Sequence, residues 1–110
     1  MATLAIEDKF NLPIKFYLKE GAVNKLHTFT LLVERKTTDE IKEFSQDTDR
    51  SIVDFMVEVT SGWSDMRLVR EGDAPADFSK DNFKLLLTLA GVAKCIWEAY
   101  LPECGAKAKN

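Results

Sequence analysis

The chain has 110 residues, of which 45% are hydrophobic and 30% are charged, and its formal net charge is -3. This mixture is too apolar for a disordered chain and too charged for a membrane protein. A chain of this length predicts a single domain, 1–110, with one core.

Charge is unevenly distributed along the sequence. Residues 1–36 carry six basic and four acidic side chains, whereas residues 39–58 carry seven acidic and two basic ones. An acidic segment repels phosphate backbones, and no basic stripe with interleaved aromatic residues occurs elsewhere. The sequence therefore disfavours nucleic acid as a partner.

The amino-terminal residues have no basic stretch followed by a long apolar run, so we expect neither a signal peptide nor a membrane anchor, and we expect residence in a cytoplasm. The two cysteines, Cys95 and Cys104, have no His or Cys neighbours at zinc-ligand spacing. We expect both to be reduced thiols, with Cys95 as a small core residue.

The region 1–36 alternates between apolar and polar residues, which is typical of strands with one buried face. The alternation runs over 14–18 and again over 26–35, and residues 19–22 supply a turn between them. This pattern predicts an antiparallel β-hairpin, with residues 4–6 as a candidate third strand.

The region 37–62 is predicted to be helical. Thr37 and Glu40 fit a capping box, which begins a short helix containing Ile41 and Phe44. A polar break at 45–49 separates it from a second helix, whose apolar residues recur at helical spacing until Gly62 offers a C-terminal stop.

Residues 63–78 form a predicted connector loop, in which glycine, proline and acidic residues cluster. Trp63 directly follows the predicted stop at Gly62, so its side chain could fold back on the helix end as an apolar cap contact. A contact with a partner protein is the alternative for Trp63.

The region 79–104 is again predicted to be helical. Ser79 can cap the helix while Phe78 and Phe83 occupy the positions of a hydrophobic staple. Ala90-Gly91 either ends or bends this helix, and a last amphipathic helix containing Trp97 and Tyr100 is closed by Pro102 and Gly105. Residues 105–110 are expected to form a flexible tail.

Together these elements predict an α+β domain in which an N-terminal antiparallel β-hairpin of two or three strands packs on about four α-helices.

The titratable residues give no catalytic constellation. His27 is the only histidine and is expected to be a partly buried strand residue, because no second histidine or neighbouring nucleophile accompanies it. The spacing of four connector carboxylates does not match a calcium loop, and the chain has no glycine-rich phosphate cradle. These acids are Asp65, Glu71, Asp73 and Asp77. We therefore expect no catalytic, metal-binding or cofactor-binding residues, and no cofactor.

Several short motifs resemble the tail assembly chaperones of long-tailed bacteriophages and prophages. The motifs are TSGWSDM at 60–66, EGDAPADFS at 71–79 and the leucine-rich stretch NFKLLLTLAGVAKCIWEAYLPECGAKAKN at 82–110, and the opening at 6–35 is similar to the family's hairpin. The resemblance spans nearly the whole chain.

The resemblance implies a non-enzymatic protein of the host bacterial cytoplasm that coats the tape measure protein and helps to recruit tail tube subunits. It also implies absence from the finished virion, and it carries over no catalytic residue; Trp63 is the one candidate partner-binding residue. A homo-oligomer is compatible with this role. The alternatives are a structural tail protein retained in the virion, a small cytoplasmic adaptor, or a hydrolase that uses the connector acids.

Overall fold

The first structural unit is a long β-hairpin, seen in a computed structural model that describes residues 1–108. Strand β1 (Lys9–Glu20) pairs antiparallel with strand β2 (Val23–Glu34) along their whole length. A two-residue turn, Gly21-Ala22, joins them, and Gly21 has a φ of 61° there. A positive φ at the first turn position suits glycine and matches the twist of the flanking strands.

The hairpin confirms the predicted alternation. Its inner face is formed by Leu12, Ile14, Phe16, Phe29, Leu31 and Val33, all of which are buried. Strand β1 extends beyond the predicted 14–18 at both ends, whereas β2 begins three residues before the predicted 26–35 and ends one residue before its limit. Beside the turn, backbone pairing continues where the side chains on both faces are exposed. The apolar pattern predicted most of the buried face of the hairpin, but it missed the buried Leu12 and the exposed residues beside the turn.

The third strand of the sheet lies elsewhere than predicted. Residues 4–6 form no strand; instead, strand β3 (Thr60–Ser64) pairs antiparallel with β2, in the order β1-β2-β3. Gly62 lies opposite Leu32 in this ladder, so its predicted role as a helix stop is wrong. The pairing joins segments about thirty residues apart and depends on tertiary packing, which local pattern does not report.

Two short helices connect β2 to β3. Helix α1 (Thr38–Gln46) has the predicted capping box: the Glu40 amide donates to the Thr37 hydroxyl, and the Thr37 amide donates to the Glu40 carboxylate. These bonds lower the pKa of Glu40. Helix α2 (Ile52–Val59) follows the predicted break and ends three residues before Gly62.

The end of α2 is tied to the start of the next helix by Lys80. The ammonium group of Lys80 donates to the backbone carbonyls of Val57 and Thr60, in the latter case at 2.6 Å. A cation at a helix C-terminus satisfies free carbonyls and interacts favourably with the helix dipole. Desolvation lowers the pKa of Lys80 at this position.

The predicted connector 63–78 is partly regular structure. It contains the end of β3 and a small hairpin of β4 (Arg70–Glu71) and β5 (Ala74–Pro75). Three of its side chains are buried and hold it against the body of the protein: Met66, Val69 and Ala76.

Helix α3 (Lys80–Leu87) begins as predicted. Its cap Ser79 accepts a hydrogen bond from the Asn82 amide at 3.0 Å, and the rings of Phe78 and Phe83 lie 6.0 Å apart as the staple pair. Helix α3 ends at Leu87 with Thr88 as its C-cap, so it stops before Ala90-Gly91 and neither ends nor bends there as predicted. Gly91, with a φ of 83°, is instead the N-cap of the next helix.

The last helix, α4 (Val92–Cys104), continues through Pro102, and its C-cap is Gly105. Pro102 therefore does not close the helix as predicted. The carbonyl that a proline at this position leaves without a donor belongs to the exposed Glu98, where water can bond to it. The predicted tail at 105–110 has no regular structure over 105–108, and residues 109–110 lie outside the described residues.

The core lies between the inner face of the sheet and the helices. Its centre is an aromatic cluster, in which the Phe55 ring contacts three others at centroid distances of 4.5 to 5.7 Å; these belong to Phe44, Trp97 and Tyr100. On α4 the buried residues are Val92, Ile96, Tyr100 and Cys104, spaced four apart. Cys95 is exposed, so the prediction that it is a core residue is wrong: it lies one position off this face, a rotation of about 100°.

Candidate protein-contact surfaces

Trp63 lies in β3, opposite Leu31, and its indole is half-buried. The indole N–H donates to the Ala76 carbonyl at 3.1 Å, and its ring meets the Phe78 ring edge-on at 5.3 Å. The predicted contact with a helix end is therefore wrong. Trp63 instead anchors the connector and the entry to α3 on the sheet, while a role in partner binding stays a prediction.

The titratable residues considered above for catalysis or metal binding, His27 and the four connector acids, form no cluster. His27 is the partly buried strand residue that the sequence predicted, and its ring bonds to the Glu20 carboxylate at 3.1 Å. The four connector acids are all exposed. Within residues 1–108, no group of three or more His, Cys, Asp or Glu side chains is placed to hold a metal ion.

A partly buried polar seam joins the end of β2 to α4, and the sequence did not predict it. The Tyr100 hydroxyl donates to the Glu34 carbonyl at 2.8 Å, and the Arg35 guanidinium donates to the Cys104 carbonyl at 2.9 Å. The Cys104 thiol lies 3.4 Å from both the amide and the carbonyl of Lys36. Burial raises the pKa of Tyr100 well above its usual range. These contacts link residues 66 to 69 positions apart, a distance at which no local motif gives a signal.

An apolar cavity of about 650 Å³, the N-terminal groove, lies where the first residues of the chain pass the start of α1 and the end of α4. Its apolar lining comes from Leu4, Ile6, Ile41 and Leu101. Leu4 is 84% exposed and Ile6 is 58% exposed, so these two apolar side chains remain largely open to solvent. The sequence offered Leu4 and Ile6 only as strand residues; the tertiary structure places them beside α4.

A second cavity, the helical groove, runs between α2 and α3 and has a volume of about 530 Å³. Val53, Val57 and Leu87 line it, and Asp54 and Lys84 add one charge of each sign. An apolar floor with charges beside it suits the apolar stripe of an amphipathic helix. Both grooves offer surface for contact with another polypeptide.

Comparisons with protein-family models, with curated proteins and with solved structures found no match to this chain. Across residues 1–108, none of the helices combines the length and the hydropathy needed to cross a lipid bilayer.

Proposed function

We propose that this protein is a non-catalytic tail assembly chaperone, which covers apolar helical stretches of a tape measure protein and helps to recruit tail tube subunits in the host bacterial cytoplasm. The nature of the client comes from the resemblance of 60–66, 71–79 and 82–110 to such chaperones. The binding role is supported independently by the apolar surface at the N-terminal groove.

The N-terminal groove is the observation that carries the proposal. A client side chain that covers Leu4, Ile6 or Leu101 removes apolar surface from water on both partners. Complete burial of one such side chain contributes about 1.5 to 3 kcal/mol, so a few contacts suffice for a weak and reversible complex. A chaperone that must later release its client requires this kind of affinity.

Many copies along one client would strengthen this binding. A tape measure protein is a long polypeptide with many apolar stretches, so neighbouring copies could each hold one stretch and gain by avidity. The net charge of -3 favours solubility of the assembled complex.

The residues that carry the resemblance serve the fold in this chain. Gly62 and Trp63 belong to β3, and Phe78 packs between Trp63 and Phe83. Client-contacting residues are therefore to be sought at the grooves, and substitution of Trp63 would affect binding chiefly by loosening the fold.

The proposal is tested by co-expression with a tape measure protein from a neighbouring gene, if one is encoded there, followed by a solubility assay and a pull-down. We expect the client to become soluble and to co-purify. The double variant Leu4→Asp, Ile6→Asp should lose both effects, because it places charges on the N-terminal groove. The matched control, Tyr17→Asp with Leu85→Asp, changes two exposed apolar residues remote from the groove and should retain both effects.

Three results would overturn the proposal. The first is the absence of a long helical client among neighbouring genes, and the second is equal client solubility with and without the protein. The third is the presence of the protein in purified virions, which would make it a structural tail component. Circular dichroism of each variant establishes that lost binding is not lost folding.

A further inference from the structure

Strand β3 occupies only about a third of the β2 edge that faces it. Strand β3 pairs with β2 over Thr30–Val33, whereas residues 23–29 of β2 have no partner strand on that side within the described part of the chain. The cause lies at Asp65, whose φ of 60° turns the chain off the sheet directly after β3. The chain returns as the segment 67–70 beside this edge without forming a ladder.

A cavity of about 420 Å³, the β2 slot, lies between this unpaired edge and the segment 67–70. Its charged lining has three cationic side chains, Lys25, Arg67 and Arg70, and one carboxylate, Glu20, which already bonds to His27. Its apolar lining consists of Leu26, Phe29 and Leu68. The slot is therefore a cationic cavity beside free backbone donors and acceptors, within a protein of net negative charge.

The two free edges of the sheet differ in how well they resist pairing. The outer edge, β1, carries Pro13 and three exposed lysines, which are the usual protections against an added strand. The β2 edge at 23–29 has no proline, one lysine and several good strand formers. Strand addition is therefore more favourable at the β2 slot than at the outer edge.

The charges decide what kind of strand fits. A second copy of the same edge would bring like charges together, because each copy carries Lys25 and both arginines. A strand with acidic side chains would meet these cations instead. Phosphate could meet the cations as well, but it would leave the β2 backbone groups unpaired and the apolar lining exposed.

We propose that the β2 slot binds an extended, acidic peptide segment of a partner protein, which adds to the sheet in line with β3. The peptide backbone pairs with residues 23–29, and its carboxylates contact Lys25, Arg67 and Arg70. This binding site is independent of the client proposed above, because it lies at the opposite strand end from the N-terminal groove and recognises charge and extended backbone.

The test uses a synthetic peptide of alternating glutamate and valine, about seven residues long to match the free edge, titrated into the isotope-labelled protein. We expect saturable amide shifts in 23–29 and 67–70, and slowed hydrogen exchange at alternate amides of β2. Binding should weaken with added salt. A peptide of alternating lysine and valine should not bind.

Two variants and one modified peptide separate the parts of the proposal. Arg67→Glu with Arg70→Glu should weaken binding by about tenfold or more. Lys42→Glu with Lys94→Glu makes the same change in net charge on exposed positions of α1 and α4 and should leave binding unchanged. Arg67→Gln with Arg70→Gln provides a milder variant if the reversal perturbs folding. The acidic peptide N-methylated at alternate residues should bind more weakly, because it lacks the donors for a ladder.

Four outcomes would overturn the proposal: no binding of the acidic peptide, equal binding of the basic peptide, equal binding of the N-methylated peptide, or equally tight binding of inorganic phosphate or single-stranded oligothymidylate at the same residues. The last result would make the slot a general anion site. None of these measurements involves a tape measure protein, so failure here and failure of the chaperone proposal are distinguishable.

Discussion

Replacement of Tyr100 by phenylalanine tests the polar seam between β2 and α4. The Tyr100 side chain is fully buried, and its hydroxyl donates to the Glu34 carbonyl at 2.8 Å. The substitution keeps the ring in its packing against Phe10 and Phe55 and removes one hydrogen-bond donor. We expect a loss of about 1 kcal/mol in the free energy of unfolding, and a melting temperature lower by about 4 °C.

The matched control is Tyr17→Phe, which removes the same hydroxyl from a side chain that is 68% exposed. Its free energy of unfolding should stay within about 0.5 kcal/mol of wild type. Urea unfolding followed by tryptophan fluorescence measures both variants, because the Trp97 ring lies 6.3 Å from the Tyr100 ring and reports on the same region.

The pH dependence of the free energy of unfolding gives a second and independent test of the Tyr100 hydroxyl. Burial raises the pKa of this hydroxyl in the folded protein, whereas in the unfolded chain it titrates near its usual value of about 10. Above that pH the unfolded state binds fewer protons than the folded state, so stability falls by about 1.4 kcal/mol per pH unit for this group. The stability that the protonated Tyr100 hydroxyl contributes is fully present below about pH 10 and is lost as the pH rises beyond that value.

The Phe variant has no hydroxyl to titrate, so its deficit relative to wild type should shrink as the pH rises from about 8 to about 11. A deficit in Tyr100→Phe that is the same at both pH values, or a loss as small as that of the control, would refute the assignment of Tyr100 as a buried donor.

Three further predictions address other parts of the structure. Trp63→Phe keeps an aromatic ring in β3 but loses the donor to the Ala76 carbonyl, and should lower the free energy of unfolding by about 1 kcal/mol in urea titrations; an unchanged midpoint would contradict the anchoring role. The buried Thr60 hydroxyl has no hydrogen-bond partner among the described residues, so Thr60→Val should raise the melting temperature, and a fall of several degrees would contradict the view that this hydroxyl is unsatisfied. A thiol reagent should modify Cys95 in the native protein and Cys104 only on unfolding, which peptide mass mapping checks; native modification of Cys104 first would contradict their assigned burial.

Local sequence patterns determined most of the helices and the hairpin. The capping box at Thr37 and Glu40, the Ser79 cap and the Phe78–Phe83 pair act within a few residues, so the sequence alone places the starts of α1 and α3. The two-residue alternation likewise determined which face of the hairpin is buried. These interactions form between residues that are close in sequence, so they can be predicted without knowledge of the tertiary fold.

Tertiary structure decided the features that depend on contacts between distant segments. The residues after α2 could end a helix or form a strand, and pairing with β2 made them β3. Trp63 became an anchor because Ala76 and Phe78 come back to meet it, and the seam at Tyr100 exists because α4 packs against the end of β2. The N-terminal groove and the β2 slot are likewise spaces between segments that are far apart in the chain. No local sequence pattern marks the residues that line them, because each space depends on which distant segments pack together and which side chains they leave exposed.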